Sequence, residues 1–265
     1  MKPTLAVLLF FSFLSNSYGF INTANRDVSY QQEKDYPSVC KITIRFPSND
    51  DSGESTIGTC TGTLVGPNKI YTAAHCFKRN FSISEDRVDV TCGGQMMGQA
   101  SEVKIPNAND WGPDVNNPEI LQDFAVVTLM FKTKNQPSAV ASGPELYFDP
   151  TSGNLLPGVV CMGLGFGYTS LTSPPTFGNL TKATYENDLI WSTPNHLIAL
   201  KPLAGETLLE TRFGEGDSGG PMFCQAPGHG MELMGVNDAN WFAVGTSEAQ
   251  TTESILNAVY MHPQQ

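Results

Sequence analysis

The residues of this chain whose types and spacing could do chemistry begin with Gly216-Asp217-Ser218-Gly219-Gly220-Pro221. A serine stands among glycines, follows an acid, and is closed off by a proline. Gly216 and Gly219 permit backbone shapes and close approaches that a side chain forbids. Such a turn aims the N–H groups of Gly216 and Ser218 at one point, the geometry that holds an oxyanion. A serine hydroxyl becomes a useful nucleophile only when a positioned base takes its proton. The histidines are His75, His196, His229 and His262. His75 lies in Thr72-Ala73-Ala74-His75-Cys76, directly after the apolar-rich Lys69-Ile70-Tyr71. A third group must hold the imidazole, and Asp123 opens Asp123-Phe124-Ala125-Val126-Val127-Thr128-Leu129, an acid at the mouth of a buried strand. Each feature alone has a plain structural reading: a tight turn, a hydrogen-bonded buried histidine, a strand-end cap. His196 and His229 have no metal-spaced partners and His262 reads as a tail residue, so neither metal nor cofactor is expected.

The whole chain narrows the choice. Its 265 residues suffice for a sizeable core, and an all-β protein of this length often forms one fold. A net charge of −11 and a pI near 4.7 argue against nucleic acid or an anionic membrane as partner, because both favour basic surfaces. Twenty-five glycines and eighteen prolines predict many turns between short strands. At the N-terminus Lys2 precedes an apolar run from Leu5 to Leu14, then Ser15-Asn16-Ser17-Tyr18-Gly19. That is the pattern of a secretory signal peptide, with cleavage expected after Gly19. The run is too short to span a bilayer, so a secreted protein is expected, with no membrane attachment after the cut. Export makes the six cysteines candidates for disulfides. Asn80-Phe81-Ser82 and Asn179-Leu180-Thr181 are glycosylation sequons.

The three motifs together, in the order His, Asp, Ser and separated by 48 and 95 residues, resemble the trypsin/chymotrypsin family of serine endopeptidases. Tyr36-Pro37 and Cys60-Thr61-Gly62-Thr63-Leu64 are similar to secreted bacterial members, glutamyl endopeptidases included. The resemblance spans roughly residues 36–261 and implies roles. Ser218 would attack a peptide carbonyl, His75 would shuttle the proton, Asp123 would orient His75, and the Gly216 and Ser218 amides would bind the oxyanion. It also implies the pairs Cys60–Cys76 and Cys161–Cys224. Cys40 and Cys92 remain; each shares one face of an alternating run, with Ile42, Ile44 and Phe46 or with Val88 and Val90, so they are paired with each other. Gly214 and Ile198 stand where the family has cysteines beside its specificity pocket.

Specificity is expected to depart from trypsin. Where trypsins place an aspartate six residues before the nucleophile, this chain has Arg212, so Lys or Arg is not the expected side chain before the scissile bond. Arg212 could pair with an acidic side chain or point to solvent. Glutamyl endopeptidases use a pocket histidine where this chain has Asn237, so their preference does not transfer. In family members with an acid at position 217, that acid pairs with the α-ammonium of a freshly cut chain. Asp217 is therefore the expected N-terminus partner in a zymogen, with Val28 and Ile21 as candidate new termini.

The elements needed to position these residues read as all-β: two six-stranded antiparallel barrels with the site between them. After the signal at 1–19, residues 20–35 read as an irregular propeptide or N-terminal segment, and 36–265 as the protease domain. Barrel one covers about 36–131, with strands at 39–46, 59–65, 69–74, 87–92, 101–105 and 124–131. Gly66-Pro67-Asn68 makes a hairpin turn and 107–118 a surface loop. Residues 132–157 cross between barrels. Barrel two covers about 158–261, with strands at 158–164, 181–190, 196–201, 219–224, 231–237, 241–245 and 257–261. A monomer acting on protein or peptide substrates, and open to proteinaceous inhibitors, is expected. The rival from another class is a secreted protein that keeps the fold as a binding module without turnover; relatives of that kind lose a triad residue or the turn glycine, and neither is lost here. An α/β-hydrolase is the third reading, since Gly216-Asp217-Ser218-Gly219-Gly220 matches its Gly-x-Ser-x-Gly elbow. The order of His, Asp and Ser and the lack of βα alternation count against it.

Overall fold

The structure, a computed structural model, describes residues 28–47, 56–77, 81–83, 86–105, 124–167, 179–185, 189–192, 197–200, 216–237 and 258–260. Asp123, Arg212, the signal segment, Ile21 and the 107–118 loop lie outside them.

Six strands close into a barrel: β2 Val39–Phe46, β3 Thr56–Gly66, β4 Lys69–Thr72, β5 Arg87–Cys92, β6 Gln95–Lys104 and β7 Ala125–Leu129. They run in the order β2-β3-β4-β7-β6-β5, every pair antiparallel. Side-chain alternation does the sorting. Cys40, Ile42 and Ile44 of β2 turn inward to meet Val88, Val90 and Cys92 of β5, all of them buried. Burying each such aliphatic side chain is worth about 1.5–3 kcal/mol, so a slip by one residue in β2 would forfeit most of this face. Register places Cys40 directly opposite Cys92, with 4.0 Å between their Cα atoms and a disulfide joining them. Pro67-Asn68 is the two-residue loop between β3 and β4. β6 begins at Gln95, six residues earlier than the strand expected at 101. The cause is Gly93-Gly94, whose φ values of 56° and 76° form a tight hairpin that sends the chain straight back along β5.

The second unit departs from a six-stranded barrel. Its described residues form an eight-stranded antiparallel sheet of β1 Val28–Tyr30, β8 Val160–Gly165, β9 Thr181–Tyr185, β10 Leu189–Ser192, β11 Leu197–Leu200, β12 Pro221–Gln225, β13 Met231–Asn237 and β14 Ala258–Tyr260. The order is β1-β9-β8-β12-β13-β14-β11-β10. The two extra strands have simple origins, and the run expected at 241–245 lies outside the described residues. The run expected at 181–190 is divided between β9 and β10. The segment expected to be irregular at 20–35 contributes β1, which pairs Val28 with Ala183 and Tyr30 with Thr181, and then a 3-10 turn at Glu33–Asp35. Val28–Tyr30 are thus built into the second sheet before the chain enters the first barrel.

The crossing segment is more than a connector. Tyr147, Phe148 and Leu155 are buried and share a cluster with Cys161, Met222, Cys224 and Met234, and Cys161 and Cys224 are disulfide-bonded partners on β8 and β12. A separate cluster joins the two units: Val39 with Leu164, Phe166, Phe223 and Leu233, flanked by Tyr71. This seam fixes the β3–β4 end of the barrel against the β8–β12 end of the sheet.

Candidate active site

Thr72 closes β4 and leads into a 3-10 turn, Ala74–Cys76, that carries His75. Ala74 and Cys76 are buried while His75 is half-buried, so the turn is anchored on either side of the imidazole. The anchor is a disulfide from Cys76 back to Cys60 on β3. Asp123 is outside the described residues, but its neighbours are placed. Ala125 pairs with Thr72, and the Phe124 ring meets Tyr71 edge-on with centroids 5.0 Å apart. The strand that follows Asp123 therefore runs beside the strand that delivers His75.

The serine turn hangs from the other unit at the start of β12. Gly216 takes φ 99° and Gly219 φ 80°, both in the region that favours glycine. At Gly219 a Cβ would lie 2.0 Å from Thr72 Oγ1 and 2.4 Å from the Thr61 carbonyl oxygen. Only a residue without a side chain lets the turn dock on the barrel this closely. The docking is hydrogen-bonded. The Thr61 N–H donates to the Ser218 carbonyl oxygen at 2.8 Å, and the Thr61 hydroxyl donates to the Gly216 carbonyl oxygen at 2.6 Å. The disulfide sulfur of Cys76 lies 3.8 Å from the same Ser218 carbonyl oxygen, which brings the residue after His75 against the serine's own backbone. Asn237 completes the support, since its N–H donates to Gly220 and its carbonyl accepts from Gly219, both at 2.7 Å.

Two buried polar side chains flank the turn. Asp217 is 0 % exposed; its Oδ1 accepts from the Gly167 N–H at 2.7 Å, and a Cβ at Gly165 or Gly167 would collide with its carboxyl group. Gly165-Phe166-Gly167 is thus shaped to receive a carboxylate, whose burial as an ion is costly unless it is well bonded. Asn237 is also 0 % exposed, yet among the described residues neither its Oδ1 nor its Nδ2 finds a hydrogen-bond partner. An orphaned amide of this kind costs about 1–3 kcal/mol.

The trypsin family model matches residues 35–257, most of the chain. The chain belongs to the trypsin family. Among curated relatives it is 24% identical to duodenase-1 of Bos taurus over 191 residues, 71% of this chain and 72% of that protein. It is 27% identical to the anionic trypsin of Canis lupus familiaris over 190 residues, 67% of each chain. Its fold is like that of neuropsin, a serine protease from mouse brain, with TM-score 0.53, 16% identity, and 89% of this chain and 94% of that one covered. The VesB protease of Vibrio cholerae gives TM-score 0.52 at 18% identity, covering 91% of this chain and 64% of the longer VesB chain. At these identities the solved structures speak to the fold: a closed six-stranded barrel and a second antiparallel sheet, chymotrypsin-like in plan. Family membership makes protease chemistry the coarse assignment, and the three disulfides fit a protein of an oxidising, extracellular setting. Among the described residues no helix is long and apolar enough to cross a membrane.

Of the residues singled out from sequence, the structure gathers Gly216, Asp217, Ser218 and Asn237 at one turn and sets the His75 turn against it through Cys76. Arg212 and Asp123 lie outside the description. Thr61 was not singled out, although it bonds the carbonyls of both Gly216 and Ser218. Its only sequence signal is position, one residue after Cys60.

Proposed function

We infer that the chain is a secreted serine endopeptidase working through an acyl-enzyme. Ser218 is the nucleophile, His75 the general base and then acid, and Asp123 the group that orients the imidazole. The amides of Gly216 and Ser218 receive the oxyanion. The observation that carries this reading is the docking just described: the turn holding Ser218 is bonded to Thr61, and the Cys60–Cys76 bridge beside Thr61 anchors the turn holding His75. A nucleophile and a base on different units need such a tie, because a misplacement of about 1 Å can cost on the order of a hundredfold in rate. In this reading Asp217 ends zymogen activation by pairing with a new N-terminal ammonium, in addition to its bond from Gly167.

The specificity pocket includes Asn237 and, on the resemblance, Arg212. The substrate side chain before the scissile bond is not Lys or Arg, since the aspartate trypsins use is replaced by Arg212. Labelling by a serine-directed fluorophosphonate tests the main claim, together with peptide turnover by Ser218→Ala, His75→Ala and the double variant. The wild type should label and cleave, each single variant should lose nearly all turnover, and the double should be scarcely worse. Labelling that survives Ser218→Ala would overturn the nucleophile. Absence of both labelling and turnover in the wild type would favour a silent binding module.

A further inference from the structure

All of Thr61's polar atoms are engaged around the serine turn. Its hydroxyl donates to the Gly216 carbonyl oxygen at 2.6 Å and accepts from the Phe166 N–H at 3.0 Å. Its N–H donates to the Ser218 carbonyl oxygen at 2.8 Å, and its own carbonyl accepts from the Thr72 hydroxyl at 2.7 Å. The side chain is fully buried. Thr63, two residues along β3 and also buried, leaves its hydroxyl without a hydrogen bond among the described residues. Burial in this strand therefore does not by itself supply partners, and the bonds of Thr61 belong to the turn.

We propose that the Thr61 hydroxyl is a positioning residue that sets the Gly216 half of the oxyanion hole. The inference rests on the reading of Gly216 and Ser218 as oxyanion donors. In that reading each residue presents its N–H to the substrate, while the carbonyls of both accept from Thr61 on β3. The Ser218 carbonyl is held by the Thr61 backbone, which any residue would provide. The Gly216 carbonyl is held by the Thr61 side chain, which only a hydroxyl at this position provides. Gly216 has φ 99° and no Cβ, so nothing of its own limits rotation of the peptide units on either side. Anchoring its carbonyl fixes the dihedral that couples the carbonyl to the N–H. The same hydroxyl accepts from Phe166, between the two glycines that seat Asp217, so one oxygen spans the acid's cradle and the oxyanion turn. The hydroxyl touches neither substrate nor reacting atoms. Its effect falls on where a donor points as charge develops, so its loss lowers kcat and leaves substrate binding nearly intact.

The test compares Thr61→Val, which keeps shape and loses the hydroxyl, with Thr61→Ser, which keeps the hydroxyl. Active sites are first counted by fluorophosphonate titration, and kcat, KM and the affinity of a peptide aldehyde are then measured per titrated site. Thr61→Val should lose about tenfold to a hundredfold in kcat, short of the 10²–10³ that follows removal of a whole donor. Its KM should stay within twofold, and its aldehyde affinity should fall in parallel with kcat. Thr61→Ser should restore most of kcat. A Thr61→Val enzyme within twofold of wild type per titrated site would overturn the proposal, as would a loss that Thr61→Ser fails to restore. A fall in the number of titratable sites with kcat per site unchanged would also overturn it, since that is what a purely structural role predicts. Wild-type protein that neither labels nor cleaves would overturn the oxyanion reading itself and the proposal with it.

Discussion

At the scale of single residues, Asn237 is the most exposed to test. Its backbone is fully used in supporting Gly219 and Gly220, while its buried amide has no hydrogen-bond partner among the described residues. A buried polar group without a partner is retained against a free-energy cost, and functional sites are where such costs are tolerated. Replacing Asn237 by Leu, of similar size, removes two unsatisfied polar atoms. We expect stability to hold or to rise by about 1 kcal/mol in urea denaturation. If the amide faces substrate, peptides with Gln, Asn or Glu before the scissile bond should lose ground to apolar ones in kcat/KM. A large drop in stability would mean that the amide is bonded after all. The turn itself was legible in the sequence because one short run carries it, and Gly216 and Gly219 do take positive φ. Gly216-Asp217-Ser218-Gly219 reads as a turn with a nucleophile because backbone freedom and a hydroxyl sit side by side. Thr61 was not legible, because its partners Gly216 and Phe166 are 155 and 105 residues away and no local pattern predicts such a bond.

The elements show the same division between local and distant causes. β2 and β5 were legible because alternating apolar residues must face a core, and that alternation placed Cys40 and Cys92 on inward faces. β1 was not, since Val28-Ser29-Tyr30 in a polar segment has no periodicity and is a strand only because β9 offers it an edge. β6 starts at Gln95 because Gly93-Gly94, both at positive φ, turn the chain back at once. The crossing segment owes its fixed position partly to Tyr147, whose buried hydroxyl donates to Glu232 Oε2 on β13 at 2.5 Å. Burial, then the hydrogen bond to Glu232 and its negative charge, push the Tyr147 pKa well above the ordinary 10.0. A raised pKa means that the folded state holds the proton after the unfolded chain has released it. The contribution is therefore complete below pH 10 and is lost as pH climbs from there through the folded value. Tyr147→Phe should cost about 1–2 kcal/mol at neutral pH, by leaving Glu232 without this donor. The gap in urea stability between wild type and variant should narrow above pH 10. A gap that stays constant to pH 11 would show that the tyrosine proton is not what matters.

At the scale of the whole molecule, the bridges and the N-terminal segment bear on how the proposed site would be held together. Cys40–Cys92 closes 52 residues within the barrel and Cys60–Cys76 closes 16, for which chain-entropy estimates give on the order of 4 and 3 kcal/mol. Only the second tethers the His75 turn. Replacing Cys40 and Cys92 by Ala should lower the melting temperature while leaving kcat/KM near wild type below the transition. Replacing Cys60 and Cys76 should lower both, and equal catalytic losses from the two pairs would refute the tether. The N-terminal segment bears on activation. Val28 is already paired with Ala183 in β1, so a chain cut at Val28 would have its new ammonium committed to the sheet edge. Ile21 lies seven residues upstream, and seven extended residues reach at most about 25 Å, ample slack for a terminus to fold back toward Asp217. Of the two candidate termini we therefore propose the one upstream of β1. We expect N-terminal sequencing of active protein to begin before Val28. Protein engineered to begin at Val28 should be folded and poorly active, and Asp217→Asn should depress the activity of correctly cut protein. Full activity in protein beginning at Val28 would refute the upstream cut. Activity untouched by both the N-terminus and Asp217→Asn would show that Gly167 and its neighbours are all the partner this buried acid requires.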